Sequence, residues 1–346
     1  MSEARQAAPT LADVAVVAGV SHQTVSRVLN NSPAVSNATR QRVQTAVASL
    51  GYRRNTAART LATGRSRIIG VIVVNAHLYG PSESLFGIEG AARELGYWVS
   101  VAGLARETEA EMADDVLRMV GQGAEGIVAI APTSSAVSMV LQAVGELPRV
   151  LVTTAPVPAD TLSVDVDQGM GIRQLMALLL ESGHRNIAHV AGPCGHVHAT
   201  AREEAWRETL AQHGLPCGLR VQGDWGAASG YAAAQTLLSA AELPTAVLAA
   251  NDLVALGLMR GFHEAGVSVP RDISVVGFDD FPGVDQSIPP LTTVRQDFDA
   301  LGSQCLEMLA ASIEGEPVAS GLVPTRLMLR SSTAAPRSGP VSFNGP

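Results

Sequence analysis

Apolar residues recur with two different periods along this chain. In residues 10–20, TLADVAVVAGV, Leu11, Val14, Ala15 and Ala18 fall at i, i+3, i+4 and i+7, one face of a short helix. Thr10 is placed to cap its start and Gly19 to stop it. A second helix follows Ser21, a good N-cap, with Val25, Val28 and Leu29 facing inward. A third begins after Ser36, turns Val43, Ala46, Val47 and Leu50 inward, and ends at Gly51. Three short helices with a four-residue turn between the first two predict an all-α helix-turn-helix headpiece over residues 1–54. In residues 52–67, Asn55 can cap and Gly64 can end a helix of about two turns, too short to persist alone in water.

From residue 68 the period changes. IIGVIVV (68–74) is a continuous apolar run, as expected of a strand buried on both faces. Helical FGIEGAARELG and strand-like YWVSVAGL follow, then MADDVLRMVGQG, AEGIVAIAP, SAVSMVLQAVGEL and PRVLVTT. After residue 167 the alternation restarts: GIRQLMALLLESGH, NIAHVAGP, AREEAWRETLAQHG, YAAAQTLLSA, TAVLAAND, LVALGLMRGFHEAG and ISVVGFDD. Alternating strands and helices predict parallel, doubly wound α/β sheets, and the restart predicts two lobes. The closing STAAPRSGPVSFNGP is rich in Ser, Pro and Gly and reads as a disordered tail, firmly so over 336–346.

Composition sharpens this picture. A chain of 346 residues has room for two or three domains, and a 47% hydrophobic fraction excludes a mainly disordered protein. No apolar run reaches the roughly 18 residues of a membrane helix, so no membrane partner is expected. The N-terminus lacks a signal-peptide core, which points to the cytoplasm. Three widely spaced cysteines, Cys194, Cys217 and Cys305, suggest free thiols in a reducing compartment. The net charge is −8, yet residues 1–67 carry nine Arg and two acids. A basic head on an acidic body suggests a small polyanion-binding module fused to a larger domain.

Chemistry in the head agrees with that. His22, Gln23, Ser26 and Arg27 face away from the core of the second helix. Arg can bind guanine O6/N7 bidentately, Gln can do the same for adenine N6/N7, and both lie near the start of what would be a recognition helix. A merely solvated helix face would not explain the coincident basic charge. Elsewhere, Cys194-Gly-His196-Val-His198 with nearby His189 has metal-ligand types, but no second cluster supports a metal site. Gly169-Met170-Gly171 lacks the rest of a nucleotide loop, and no GxSxG or HExxH pattern appears. Neither a cofactor nor an enzymatic activity is expected.

TLADVAVVAGVSHQTVSRVLN and VSNATRQRVQTAVASLGYRRNTAARTLATG resemble the headpiece of the lactose repressor/galactose repressor family. The resemblance runs to about residue 335 through GDWGAASGY (223–231), AND (250–252), ISVVGFDD (273–280) and PPLTTVRQDF (289–298). It implies a headpiece, a hinge helix over 55–67 and a two-lobed periplasmic-binding-protein-like core over 68–335. One lobe would take 68–166 and 296–325, the other 167–295 and 326–335. It also implies a dimeric repressor that binds a pseudopalindromic DNA operator and is released by a small sugar inducer. The competing functions are a sugar sensor without operator binding and a sugar-processing enzyme on the same core; the headpiece argues against both. The lactose-type branch joins dimers into tetramers through a terminal leucine-heptad helix; no heptad follows Arg330, so a homodimer is expected.

By this resemblance His22, Gln23 and Arg27 read bases, and Thr24, Ser36, Asn37 and Thr39 meet phosphates. Leu61 would wedge into the minor groove, as an apolar side chain that unstacks a base step does. Asn55 and Arg59 would flank it. The sugar would meet Arg202, Trp225, Asn251, Asp279 and Gln296, each in a loop or at an element end, with Asn251 and Asp279 directly after the apolar runs TAVLAA and SVVGF. Leu78, Pro81, Val166 and Phe298 would supply the apolar wall. Where the lactose-type branch has Asn, Asp and Ser, this chain has Ile130, Thr153 and His198. Two hydroxyl-binding groups are weakened or lost and an imidazole is gained, which bears on whether the ligand is a galactoside.

Overall fold

The computed structural model describes residues 9–29, 32–52, 64–104 and 108–338. The chain divides into two compact units, Met1–Ser66 and Arg67–Pro346. In the first, helices α1 (Leu11–Ala18), α2 (His22–Leu29) and α3 (Asn37–Leu50) enclose a core in which Val14, Val25 and Val43 are fully buried. The predicted caps form. Thr10 and Asp13 make a reciprocal capping box, Ser36 accepts from Thr39 N–H, and Gly19 and Gly51 close their helices in the left-handed region. Of the hinge expected over 55–67, residues 55–63 lie outside the described residues.

In the second unit, β1 (Ile68–Val74), α4 (Tyr79–Glu94), β2 (Trp98–Leu104), α5 (Glu109–Gly121), β3 (Ala124–Ile130), α6 (Ser134–Val144), β4 (Arg149–Val152) and β5 (Leu162–Val166) build the N-lobe. The C-lobe continues with α7 (Gln168–Glu181), β6 (Ile187–Ala191), α8 (Val197–Gln212), β7 (Arg220–Gln222), α9 (Ala227–Leu238), β8 (Ala246–Ala249), α10 (Asp252–Glu264) and β9 (Ser274–Val276). The chain then runs through β10 (Thr293–Arg295), α11 (Phe298–Glu314), β11 (Gly321–Val323) and β12 (Arg326–Met328). The N-lobe sheet has the order β11-β5-β4-β3-β1-β2, all parallel, and the C-lobe sheet β7-β6-β8-β9, also parallel. β10 and β12 form a separate antiparallel ribbon. The chain passes between lobes after β5, after β10 and after β11.

Several helices start earlier than their apolar periodicity suggests, and in α4 and α8 this changes what the site receives. α4 begins at Tyr79, with Pro81 in its first turn, where the missing N–H has no intrahelical partner to lose. α8 begins at Val197, so His198 and Arg202 stand one turn apart on it, and Arg202 is inside a helix and not at an element end. The tail also differs from expectation over 332–338. Ser332 is fully buried; its hydroxyl accepts from Thr292 N–H (2.8 Å) and donates to Val275 O (2.6 Å). Ala334 N–H donates to Ser274 Oγ, and Arg337 donates to the carbonyls of Leu243 and Asp272. Composition suggested disorder, but this extended segment satisfies its polar groups against the C-lobe. Residues 339–346 lie outside the described residues.

Candidate DNA and effector sites

On the headpiece, His22, Gln23 and Arg27 are exposed on α2 while Val25 and Val28 are buried, so the amphipathic pattern leaves these three polar side chains in solvent. Thr24 is half-buried, its hydroxyl 2.9 Å from that of Ser21. Ser36 donates to Thr39 Oγ1 (3.0 Å), and Asn37 is exposed at the first position of α3. A capped helix start with open backbone N–H groups suits a phosphate. Asn55, Arg59 and Leu61 lie outside the described residues.

Between the two lobes lies a cavity of about 120 Å³. Leu78, Pro81, His198, Arg202, Trp225, Asn251, Asp279, Gln296 and Phe298 all line it, nine of the eleven residues expected to. They come from separate elements whose ends converge: the start of α4, the first two turns of α8, the loop before α9, the N-cap of α10, and the segments after β9 and β10. This is the carboxyl edge of the parallel strands, where α/β sheets open to ligands.

Arg202 is the centre. It is 3% exposed, donates through Nε to Gln168 Oε1 (2.8 Å) and through Nη1 to Ala250 O, and its Nη2 stands 3.6 Å from Asp279 Oδ1. Its guanidinium lies 3.7 Å from the ring centroid of Phe278 and 5.4 Å from that of Trp225. Gln296 donates to Asp279 Oδ1 (2.8 Å) and accepts from Gln168 Nε2 (3.1 Å). Asn251 caps α10 through Val254 N–H and donates to Trp225 O, which fixes the indole loop. Asp279 is held at φ +118°, a backbone position that costs a non-glycine residue of order 1–3 kcal/mol and is kept only where the surroundings impose it. Burial pushes its carboxyl up to about 6, against the opposing pull of Arg202.

Two expected residues are elsewhere. Val166 is fully buried in the N-lobe core, and Thr153, 2% exposed, accepts Ala155 N–H on its hydroxyl. In each strand the preceding residue lines the cavity in its place, Asp165 for Val166 and Val152 for Thr153, because neighbouring side chains point to opposite faces. The cavity gains Asp165, His196, Tyr79 and Ser84, which the sequence did not single out for it. His196 and His198 line the cavity, and His189 is inside the C-lobe against Trp206. Among the described residues no group of three or more His, Cys, Asp or Glu is arranged to hold a metal ion. An adjoining recess of about 320 Å³ shares Tyr79 and Asp279 and reaches Asp252 and Phe281.

A helix-turn-helix unit followed by a two-lobed core with a polar cavity defines a ligand-responsive DNA-binding regulator. Residues 10–55 match the lacI family of bacterial regulatory proteins, and residues 176–333 match the periplasmic binding protein-like domain. The lactose operon repressor of Escherichia coli K12 is 35% identical over 334 residues, covering 95% of this chain and 92% of that protein. The HTH-type transcriptional regulator CelR of Thermobifida fusca is 35% identical over 97% of this chain and 99% of its own length. The crystal structure of the lac repressor dimer bound to operator and the anti-inducer ONPF aligns with a TM-score of 0.82 at 36% identity, over 94% of this chain and 99% of that one. The chain belongs to the lacI family of bacterial regulatory proteins, helix-turn-helix transcriptional repressors with a periplasmic-binding-protein-like core. No helix among the described residues is long and apolar enough to cross a membrane.

Proposed function

We propose that this chain represses sugar-utilisation genes by binding a pseudopalindromic operator as a dimer, and that a neutral sugar in the interlobe cavity releases it. The Arg202–Gln168–Gln296–Asp279 network beside the Trp225 ring carries this reading: it offers buried donors and acceptors for hydroxyls and an aromatic face for the apolar side of a ring. His22, Gln23 and Arg27 read bases; Thr24, Ser36, Asn37 and Thr39 hold phosphates; Asn55, Arg59 and Leu61 act in the hinge. The recess toward Phe281 gives room for a second ring or an aglycone, which favours a glycoside over a free hexose; similarity to the lactose operon repressor makes a galactoside the first candidate.

The dimer reading is supported by an apolar face of the N-lobe where Phe86, Trp98 and Val101 are 62%, 73% and 51% exposed, a cluster that a second copy would cover. The relatives named above are a repressor and a transcriptional regulator, which supports a non-enzymatic, cytoplasmic role. The test is fluorescence anisotropy of the protein on its upstream DNA, with and without lactose, methyl β-galactoside and cellobiose. Specific binding reversed by at least one sugar is expected; binding that no sugar changes would defeat the induction reading.

A further inference from the structure

Besides the Arg202 network the cavity is lined by a second group of polar residues. Asp165 reaches it from the end of β5 in the N-lobe, and His198 from the first turn of α8 in the C-lobe. His198 Nε2 lies 2.6 Å from Asp165 Oδ2, and Asp165 Oδ1 accepts Val166 N–H at 2.7 Å. Asp165 is 2% exposed. A carboxylate only accepts, so the imidazole is the donor in this pair, and Oδ2 keeps a lone pair for a further hydroxyl. Beside them His196 is 7% exposed, its ring 5.4 Å from that of His198 and 4.9 Å, edge-on, from Trp225. Its Nδ1 is buried and without a partner. Burial, with His198 and Arg202 nearby, pushes that imidazole down to about 3, so it is neutral and its unpartnered nitrogen needs a hydrogen bond from something that enters the cavity.

We propose that Asp165 and His198 are a specificity-determining pair that binds one hydroxyl of a neutral sugar, with His196 beside them. This rests on the reading of the cavity as a sugar site. A hydroxyl is donor and acceptor at once, which is what a carboxylate lone pair next to imidazole nitrogens complements. Charge disfavours anionic ligands. Arg202 stands beside Asp279, and Asp165 adds a second carboxyl to the lining, so no positive charge is left over for a phosphate or a uronate. Because carboxylate and imidazole come from different lobes, the hydroxyl is read only when the lobes are together. Recognition and closure are one contact. A buried carboxyl–imidazole contact that merely packs the lobes would hold them without caring which hydroxyls the ligand carries.

Full-length wild type, Asp165→Asn and His198→Gln are titrated calorimetrically with methyl β-galactoside and methyl β-glucoside, then with the monodeoxy analogues of whichever binds. Galacturonate and galactose 6-phosphate are titrated alongside. The variants should lose about tenfold or more in affinity for the parent glycoside. One monodeoxy analogue should lose a similar factor on wild type and nothing further on the variants, the non-additivity that marks a direct contact. The two anions should bind at least about tenfold more weakly than the parent glycoside. Thermal midpoints and anisotropy on DNA confirm that the variants are folded. If each deoxy analogue is penalised equally on wild type and variants, the pair is interlobe packing and the inference fails while the sugar reading stands. If wild type binds neither glycoside, both fail. An anion that binds as tightly as the glycoside overturns the charge argument and the pair's assignment with it.

Discussion

Asp279 is buried, strained in its backbone and charged, a combination that is costly without a use. With its carboxyl raised from the ordinary 3.8 to about 6, the folded protein holds a proton more tightly than the unfolded chain. The stability linked to that proton is fully present below pH 3.8 and is lost as pH rises through about 6. Asp279→Asn removes the titration. In urea melts, its stability relative to wild type should therefore rise between pH 4 and pH 7, by about 1.4 kcal/mol for each pH unit inside the window. A constant difference would contradict the raised carboxyl. Arg202→Met keeps the stem over Phe278 but removes the fork, so sugar binding should fall by about 100-fold or more while operator affinity is kept, as titration of both ligands would show. Residue types made most of this cavity legible: a planar cation, an amide, a carboxylate and an indole next to strand ends. Asp165 was not legible. In LSVDV either Asp165 or Val166 could face the ligand, and only the pairing of β5 with β4 and β11 decides the register.

At the scale of elements, glycine contacts set the positions of the cavity walls. Gly257 of α10 meets the backbone of Ala227 and Tyr231 on α9, and Gly230 meets Val254, so a Cβ at either place has no room. These two helices begin directly after Trp225 and Asn251. Gly257→Ala should cost about 1–3 kcal/mol in a chemical melt and weaken sugar binding, because it levers apart the loop and the cap that line the cavity. Equal stability and affinity would show that the helices can slide. Gly87 and Gly302 make the same approach between α4 and α11, beneath Phe298. The long amphipathic helices and the buried strands were readable because each repeats its period several times. β7, β10, β11 and β12 have three residues each, too few to show one, and their places are fixed by partners far away in the chain. The segment after Ser331 failed for a related reason: Ser332 and Arg337 are polar residues whose partners are carbonyls and N–H groups of the C-lobe. Truncation after Ser331 should leave the Ser274 hydroxyl and the Thr292 N–H unpaired and lower the stability of the core by about 1–3 kcal/mol per buried group, measured by denaturant midpoint.

For the whole molecule the decisive property is coupling. The side chains proposed to read bases belong to Met1–Ser66 and the residues lining the cavity to Arg67–Pro346, so the two proposed sites share no residue. Any effect of sugar on operator affinity is then a coupling free energy between two conformational states of the protein, and operator must change sugar affinity by the same factor. A coupling of about 1–3 kcal/mol corresponds to roughly 5–150-fold in each direction. Arg27→Ala should cost about 1–3 kcal/mol on the operator and relax specificity at one base pair, yet leave sugar affinity for the free protein unchanged. Asp165→Asn or Arg202→Met should do the reverse. The measurement is a thermodynamic square, with operator titrated at zero and saturating methyl β-galactoside and the sugar titrated at zero and saturating operator. Equal factors on opposite sides support a single two-state switch that both ligands bias. A factor of one on both sides would mean that the headpiece and the cavity work independently, and the protein would then be a DNA-binding protein that also binds a sugar, not a sugar-released repressor.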